Sequence, residues 1–148
     1  MSRDNVEVVR SVHPNGIDMV SFIRDAIAAD TAPDAVYTEA FEIDFVTEFI
    51  STQAGLLRPA ARGIVGFAEG WRDWLEPWDS YYMEVEELLD AGELVVSLVR
   101  VRAKTERDGV AIEHSPASVW SLHGGKITRV QFYLERERAL EAAGLAER

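Results

Sequence analysis

Apolar positions along the chain fall first into helical periods and then into strand periods. Val6, Val9 and Val12 recur every three residues behind the capping candidates Ser2 and Asp4, which predicts a first helix. Pro14-Asn15-Gly16 breaks that pattern. Met19, Phe22, Ile23, Ala26 and Ile27 return to helical spacing and predict a second helix. Thr31, with Pro33 two residues on, predicts another start, running through Ala35 and Val36 towards Ala40. From Phe41 to Thr52 the period drops to two. Phe41, Ile43, Phe45, Thr47 and Phe49 alternate with Glu42, Asp44, Val46, Glu48 and Ile50, a strand with one strongly apolar face. Gly55 to Gly63 reads as a loop.

Ile64, Phe67, Ala68, Trp71, Leu75 and Trp78 form a further helical stripe, with Trp74 beside it. Pro77 is expected to end that helix, because proline lacks the donor and clashes with the preceding turn. The rest is strand-like. Tyr81 to Leu89 is extended and turns at Asp90-Ala91-Gly92. Leu94 to Thr105 is a strong strand, and Glu106 to Gly109 is a hairpin turn ending in Asp108-Gly109. Val110 to Leu122 is a strand interrupted at Pro116, which predicts a bulge or an edge there. Lys126 to Leu134 is the last strand, after His123-Gly124-Gly125. Glu135 to Gly144 is a closing helix, with Ala139 and Leu140 inward and Gly144 as its stop. Helices, one strand, a helix and then a meander of four strands predict an α+β domain, not a parallel α/β fold.

Composition narrows the classes. The length of 148 residues matches one domain, 1–148. Fifteen Lys and Arg stand against 26 Asp and Glu, a formal net charge of −11. That acidity repels phosphate backbones, so no nucleic-acid partner is expected. The chain has no cysteine, which excludes disulfides, thiolate nucleophiles and cysteine-ligated metals. The three histidines are dispersed, and no His-x-His or His-Glu-x-x-His spacing exists, so no metal site is expected. No phosphate loop or dinucleotide fingerprint points to a cofactor. The polar opening Met1 to Asn5 and the lack of a roughly 20-residue apolar run predict no membrane span and a cytoplasmic protein.

Several segments together resemble one family. They are the Asn5-Val6-Glu7-Val8-Val9-Arg10 opening, the Trp71-Arg72-Asp73-Trp74-Leu75 helix and Val119-Trp120-Ser121-Leu122-His123-Gly124-Gly125-Lys126-Ile127. Phe132-Tyr133-Leu134-Glu135-Arg136 and Ala139 to Leu145 add to them. With these segments the chain resembles SnoaL-like proteins of the nuclear transport factor 2-like superfamily, which includes ketosteroid isomerase. The resemblance implies a cystatin-like α+β roll: a cone-shaped, curved antiparallel sheet wrapped around N-terminal helices. It also implies a pocket opening at one end and a homodimer through the outer sheet face. The family spans isomerases, cyclases, dehydratases, epoxide hydrolases and pure binding modules, so fold alone assigns no reaction.

Carbon-acid chemistry needs a base beside the substrate and a fixed donor where charge develops. SnoaL-like cyclases often carry an acid in the last strand. Here Thr128, Val130, Phe132 and Leu134 make one face and Arg129, Gln131 and Tyr133 the other, with no carboxylate on either. His114 is then the acid–base candidate, since an imidazole titrates near neutrality. The bland reading, which outweighs it, is a hydrogen-bonded histidine at a sheet surface or dimer interface. Tyr133 and Arg100 are candidate polarisers. Arg100 and Arg102 share a face with Leu94, Val96 and Leu98, and the alternative for them is cross-strand pairing with Glu113 or another carboxylate. Arg129 and Gln131 are candidates for a polar pocket floor. Trp71, Trp74 and Trp120 are candidate walls for an apolar ligand, or packing between helix and sheet. His13 and His123 read as surface residues. Asp44 and Glu48 lie on the polar face of the early strand, where some relatives hold a base. Glu84, Glu86, Glu87 and Asp90 read as a solvated acidic edge.

Two functions stay open. One is acid–base isomerase, cyclase or hydrolase chemistry on a small apolar molecule in a hydrophobic cone. The other is a non-catalytic dimeric module that binds a ligand or a partner.

Overall fold

In a computed structural model of the chain, residues 2–29, 39–51, 55–56, 60–105 and 109–145 are described. The order is α1 (Ser2–Val12), β1 (Ile17–Asp18), α2 (Met19–Ala29), β2 (Phe41–Ser51), β3 (Gly55–Leu56), β4 (Ala61–Arg62) and α3 (Gly63–Leu75). It continues with β5 (Ser80–Ala91), β6 (Leu94–Lys104), β7 (Ala111–His114), β8 (Ala117–His123), β9 (Lys126–Tyr133) and α4 (Arg136–Ala142). The third helix expected from Thr31 lies, apart from Glu39 and Ala40, outside the described residues. So do Glu106, Arg107 and Asp108 of the expected hairpin turn.

One sheet runs β1-β5-β6-β8-β9-β2-β3, with β4 also on β2 and β7 also on β6. Neighbours are antiparallel except β2 and β9, which run parallel with Thr47 opposite Val130 and Phe49 opposite Phe132. A parallel neighbour is absent from the meander expectation, because local periodicity carries no strand direction. The Gly55–Gly63 loop also contains short pairs: β3 and β4 take up edge groups of β2, too briefly to show a period.

Bulges curve the sheet. β2 shifts register between Phe41 and Val46, and β5 between Val85 and Glu87. An extra residue bends a strand and raises its twist. The β2 bulge corrects the sequence expectation at one position. Phe41 and Phe45 both reach the core, whereas Ile43 between them is 92% exposed. The Pro116 break is real and satisfied: β7 and β8 share one side of β6, and the Val99 N–H donates to the Pro116 carbonyl at 3.2 Å.

The face of the sheet turned to the helices carries Phe45, Thr47 and Phe49, then Tyr81 and Met83. Val95, Ser97, Val99, Val101 and Ala103 of β6, Ser118 and Trp120 of β8, and Val130 and Phe132 of β9 complete it. Val9 and Val12 of α1 pack with Phe41, Phe45, Trp120 and Val130. Met19 and Ile23 of α2 pack with Phe49, Trp71, Tyr81 and Val101. On the opposite face α4 covers an apolar patch around Val96, Ala117 and Val119 with Ala139 and Leu140. The central strands are therefore buried on both faces where α4 covers them, and the sheet, helices and curvature form the α+β cone.

Polar side chains place the N-terminal segment. The Asn5 amide donates to the Gly92 carbonyl at 3.1 Å, tying α1 to the β5–β6 turn. Asp18 caps α2 by accepting the Val20 N–H at 3.2 Å, and its same oxygen accepts the Tyr81 N–H at 2.8 Å. The α3 helix ends at Leu75, two residues before Pro77, as the backbone restriction before proline favours. Among the described residues, no helix is long and apolar enough to cross a membrane.

Candidate functional site: an aromatic cleft at the helix–sheet interface

A cleft opens between α3 and the inner face of the sheet. The space inside it open to water-sized molecules is small, about 30 Å³, and widens towards an open mouth. Phe49, Trp71, Trp74, Tyr81 and Phe132 wall it, with Met83, Val99, Pro116 and Ala117 between them. His13 and Ser118 lie at its polar end, and Tyr133 and Leu134 on its rim. Phe49 stacks on Trp74 and on Phe132, with centroids 5.4 and 5.0 Å apart. Trp71 meets Phe132 edge-on at 4.9 Å. Offset and edge-to-face contacts are the preferred geometries of aromatic pairs.

Glycines allow this approach. A methyl group added at Gly70 would lie 3.0 Å from the Phe49 ring, and one at Gly66 2.8 Å from the Ala61 side chain. Helix α3 lies against β2 and β4 because these two positions carry no side chain.

The polar groups form two small networks. The Trp74 indole N–H donates to the Tyr81 hydroxyl at 3.2 Å. Burial raises the Tyr81 pKa above its ordinary value, opposed by that hydrogen bond, so the phenol stays protonated at neutral pH. The Trp120 indole N–H donates to the Ser118 hydroxyl at 2.8 Å, and the His13 ring lies 5.2 Å from Trp120. His13 Nε2 is 2.6 Å from Ser97 Oγ, and its Nδ1 is 2.7 Å from the Pro14 carbonyl. A carbonyl only accepts, so Nδ1 carries the proton and Nε2 accepts from Ser97. Burial pushes the His13 pKa down to about 4, against the raising effect of the Pro14 carbonyl. His13 is neutral at pH 7.

This corrects the surface assignment of His13. A histidine before a proline looks like a turn residue, yet the turn carries the ring under the sheet. His123 is exposed, as expected. Trp71 adds an unbalanced group: the residue is 3% exposed, and its indole N–H has no partner among the described residues. Thr47 Oγ1 is in the same condition.

The remaining candidates fall in different places. Trp71 and Trp74 wall the cleft, whereas Trp120 is packed beneath it in the α1 core. His114 pairs with Val101 on the inner face, 6.2 Å from the Tyr81 ring, but does not line the cleft. Burial lowers its pKa. Arg100 and Arg102 stand on the outer face, exposed and paired with Glu86 at 3.0 Å and Glu113 at 3.1 Å. Arg129, Gln131 and Tyr133 share that outer face, opposite Ser121, Val119 and Ala117. Gln131 donates to Glu48 at 2.9 Å, Arg129 is exposed, and the Tyr133 ring packs with the group under α4. Burial, and secondarily the Glu48 charge, raises the Tyr133 pKa. The structure does not bring His114, Tyr133 and Arg100 together. The other face of β9, carrying Phe132, is the one in the cleft.

Glu84, Glu87 and Asp90 are exposed, but Glu86 bridges Arg100 and Arg136, and the Arg136 hydrogen bond holds its carboxyl below the ordinary range. Residues missed from sequence are His13, Ser97, Ser118, Tyr81 and Phe132. The available signal was Ser97 amid apolar strand positions, a polar group that needs a buried partner. Among the described residues no group of three His, Asp or Glu is placed to hold a metal.

The curved sheet, the helices within it and the cleft between them define an NTF2-like α+β cone. The SnoaL-like domain model matches residues 22–130, and the chain belongs to that family. Solved structures agree in fold. An NTF2-like protein of unknown function from Burkholderia pseudomallei K96243 is 14% identical, aligned over 93% of this chain and 95% of that one, with a TM-score of 0.60. TerC, co-crystallised with polyporic acid, is 16% identical over 98% and 99% of the two chains, with a TM-score of 0.62. A protein of ketosteroid isomerase-like fold from Catenulispora acidiphila DSM 44928, in complex with trimethylamine, is 19% identical over 85% and 95%, with a TM-score of 0.53. No curated protein matches the chain significantly.

Proposed function

We propose that this SnoaL-like protein, as a single domain spanning 1–148, binds a small apolar molecule in the aromatic cleft and does so without transforming it. The observation that carries this reading is the lining: six Phe, Trp and Tyr rings and, among the described residues, no carboxylate, lysine or arginine. Enolate chemistry needs a base of useful strength within reach of the bound carbon. The one titratable base on the wall, His13, has a depressed pKa and both ring nitrogens engaged. Two neighbours in fold were crystallised with small molecules, polyporic acid and trimethylamine, which supports binding in general and assigns no ligand here.

The test is a panel of apolar small molecules scored by thermal stabilisation, followed by mass analysis of each stabilising compound after incubation. Saturable stabilisation with the compound recovered unchanged is the expected result. A ligand present at 100 times its dissociation constant adds about 2.7 kcal/mol to stability. Failure of every compound to stabilise the protein rejects the reading.

The acid–base alternative keeps one specific support. His13 faces the cleft with its tautomer fixed by Pro14, and His114 lies near Tyr81 on the same sheet face. Conversion of a panel compound, lost in His13→Gln or His114→Ala, would replace binding with catalysis. A homodimer through the outer face belongs to the same proposal, with light scattering across protein concentration as its check.

A further inference from the structure

Two flanks of the sheet are closed or guarded. β3 and β4 take up the flank of β2. On the flank of β5, β1 pairs with Tyr82 and Met83, and the Gly16 N–H donates to the Met83 carbonyl at 2.7 Å. The Val85 N–H donates to Asn15 Oδ1 at 2.9 Å. Glu84, Glu87 and Asp90 stand exposed along that strand, charges that discourage a further one. The β7 edge has neither device. Among the described residues β7 pairs only with β6, and Val110 and Ile112 are 54% and 42% exposed beside each other on one face. The acid of β7, Glu113, is held by Arg102 at 3.1 Å.

The ladder fixes which backbone groups of β7 are spare. The Thr105 N–H donates to the Val110 carbonyl at 3.4 Å. Hydrogen-bonded and non-bonded pairs alternate in an antiparallel ladder. Ile112 and His114 therefore turn their backbone to β6, whereas Ala111 and Glu113 turn theirs to the open edge. A second copy of the strand fits that edge in one register. With Ile112 opposite Ile112 across a two-fold axis, Ala111 of each copy faces Glu113 of the other. The outward N–H groups of each copy then meet the outward carbonyls of the other. No like charges meet, and two exposed isoleucines come together on the inner face. Centring the pair on Glu113 would set two carboxylates opposite one another. Centring it on Ala111 would call on Gly109, whose N–H already donates to the Thr105 carbonyl at 3.0 Å.

We propose that β7 is an association edge, pairing antiparallel with β7 of a second copy across a two-fold axis at Ile112. This goes beyond the binding reading, and it differs from an outer-face homodimer because it joins strand edges, not sheet faces.

The chain has no cysteine, so single cysteines along β7 report the register through intermolecular disulfides alone. Opposed residues of a non-bonded pair lie about 4.5 Å apart at Cα, within disulfide reach. Ala111→Cys, Ile112→Cys and Glu113→Cys are oxidised at about 10 µM to 1 mM protein, where a small transient contact is populated. Ile112→Cys is expected to give at least about tenfold more cross-linked dimer than either neighbour. Light scattering over the same range reads the cysteine-free protein. Ile112→Lys, a change at an exposed position, should weaken its association at least about tenfold by setting two ammonium groups at the axis. Equal yields at the three positions, a maximum away from 112, or a mean mass that Ile112→Lys leaves unchanged overturns the proposal.

Discussion

His13 Nε2 lies 2.6 Å from Ser97 Oγ, joining the turn after the first helix to the middle of the central strand across 84 positions of sequence. The contact places an ionisable ring where its charged form is poorly solvated. It also holds α1 over the sheet at the polar end of the cleft.

Acid should weaken the protein through this ring. The folded pKa of about 4 is below the ordinary 6.5, so the unfolded chain binds the proton first as pH falls. The His13 contribution is complete above pH 6.5 and is lost between 6.5 and 4. The loss totals roughly 3 kcal/mol. Depressed by burial, His114 acts with the same sign. Urea midpoints at pH 7 and pH 5 should differ, and His13→Gln should reduce that difference without abolishing it. An unchanged difference in His13→Gln would refute the assignment.

Ser97→Ala should lower stability by about 1–3 kcal/mol, because it leaves the buried Nε2 without a donor. Ser97→Cys, which keeps a weak donor, should lose less. Denaturant unfolding of the three proteins ranks them. A loss no greater for Ala than for Cys would mean that the hydroxyl contributes volume rather than a bond.

The helix glycines should resist alanine despite its better helix propensity, a gain of about 1 kcal/mol. Gly66→Ala meets Ala61, including its backbone carbon at 3.1 Å, and is expected to destabilise by about 1–3 kcal/mol. Gly70→Ala meets the Phe49 ring, which can pivot, so its cost should be smaller and its effect on cleft ligands larger. Melting temperatures and ligand titration of both variants check the order.

The β2 bulge makes an unusual pair of neighbours. Ile43→Thr should change stability by less than about 0.5 kcal/mol, since Ile43 is exposed. Phe45→Ala should cost about 3–5 kcal/mol, since Phe45 is 2% exposed within the core. Comparable losses at the two positions would show that Ile43 points inward and that the strand is regular.

Most of the element pattern was legible because periodicity is local. The stripe through Phe67, Trp71 and Leu75 predicted α3, and Pro77 its end. Leu94 to Thr105 predicted β6 to within one residue, and Pro116 predicted the break between β7 and β8. The alternation from Phe41 failed at Ile43, because a bulge inserts a residue without altering the apolar count around it. Trp71 and Trp74 were legible as possible walls from their bulk and spacing.

The polar part of the site was not. Which face of β9 lines the cleft depends on its partners: Phe132 beside Phe49 and Ser118, Arg129 and Gln131 on the reverse. The parallel β2–β9 pairing that fixes this joins segments some 80 residues apart. His13 offered a proline neighbour and a surface appearance, and its partner Ser97 became visible only with the helix laid across the sheet. Hydrophobic period and turn chemistry act over a few residues, so the chain alone specified the elements, the acidic character and the family likeness. Strand direction, bulge geometry and the burial of single polar groups arise from contacts between distant segments. These decided that the cleft is aromatic and uncharged, that Arg100 stands on the outer face, and that Tyr133 reaches only the rim.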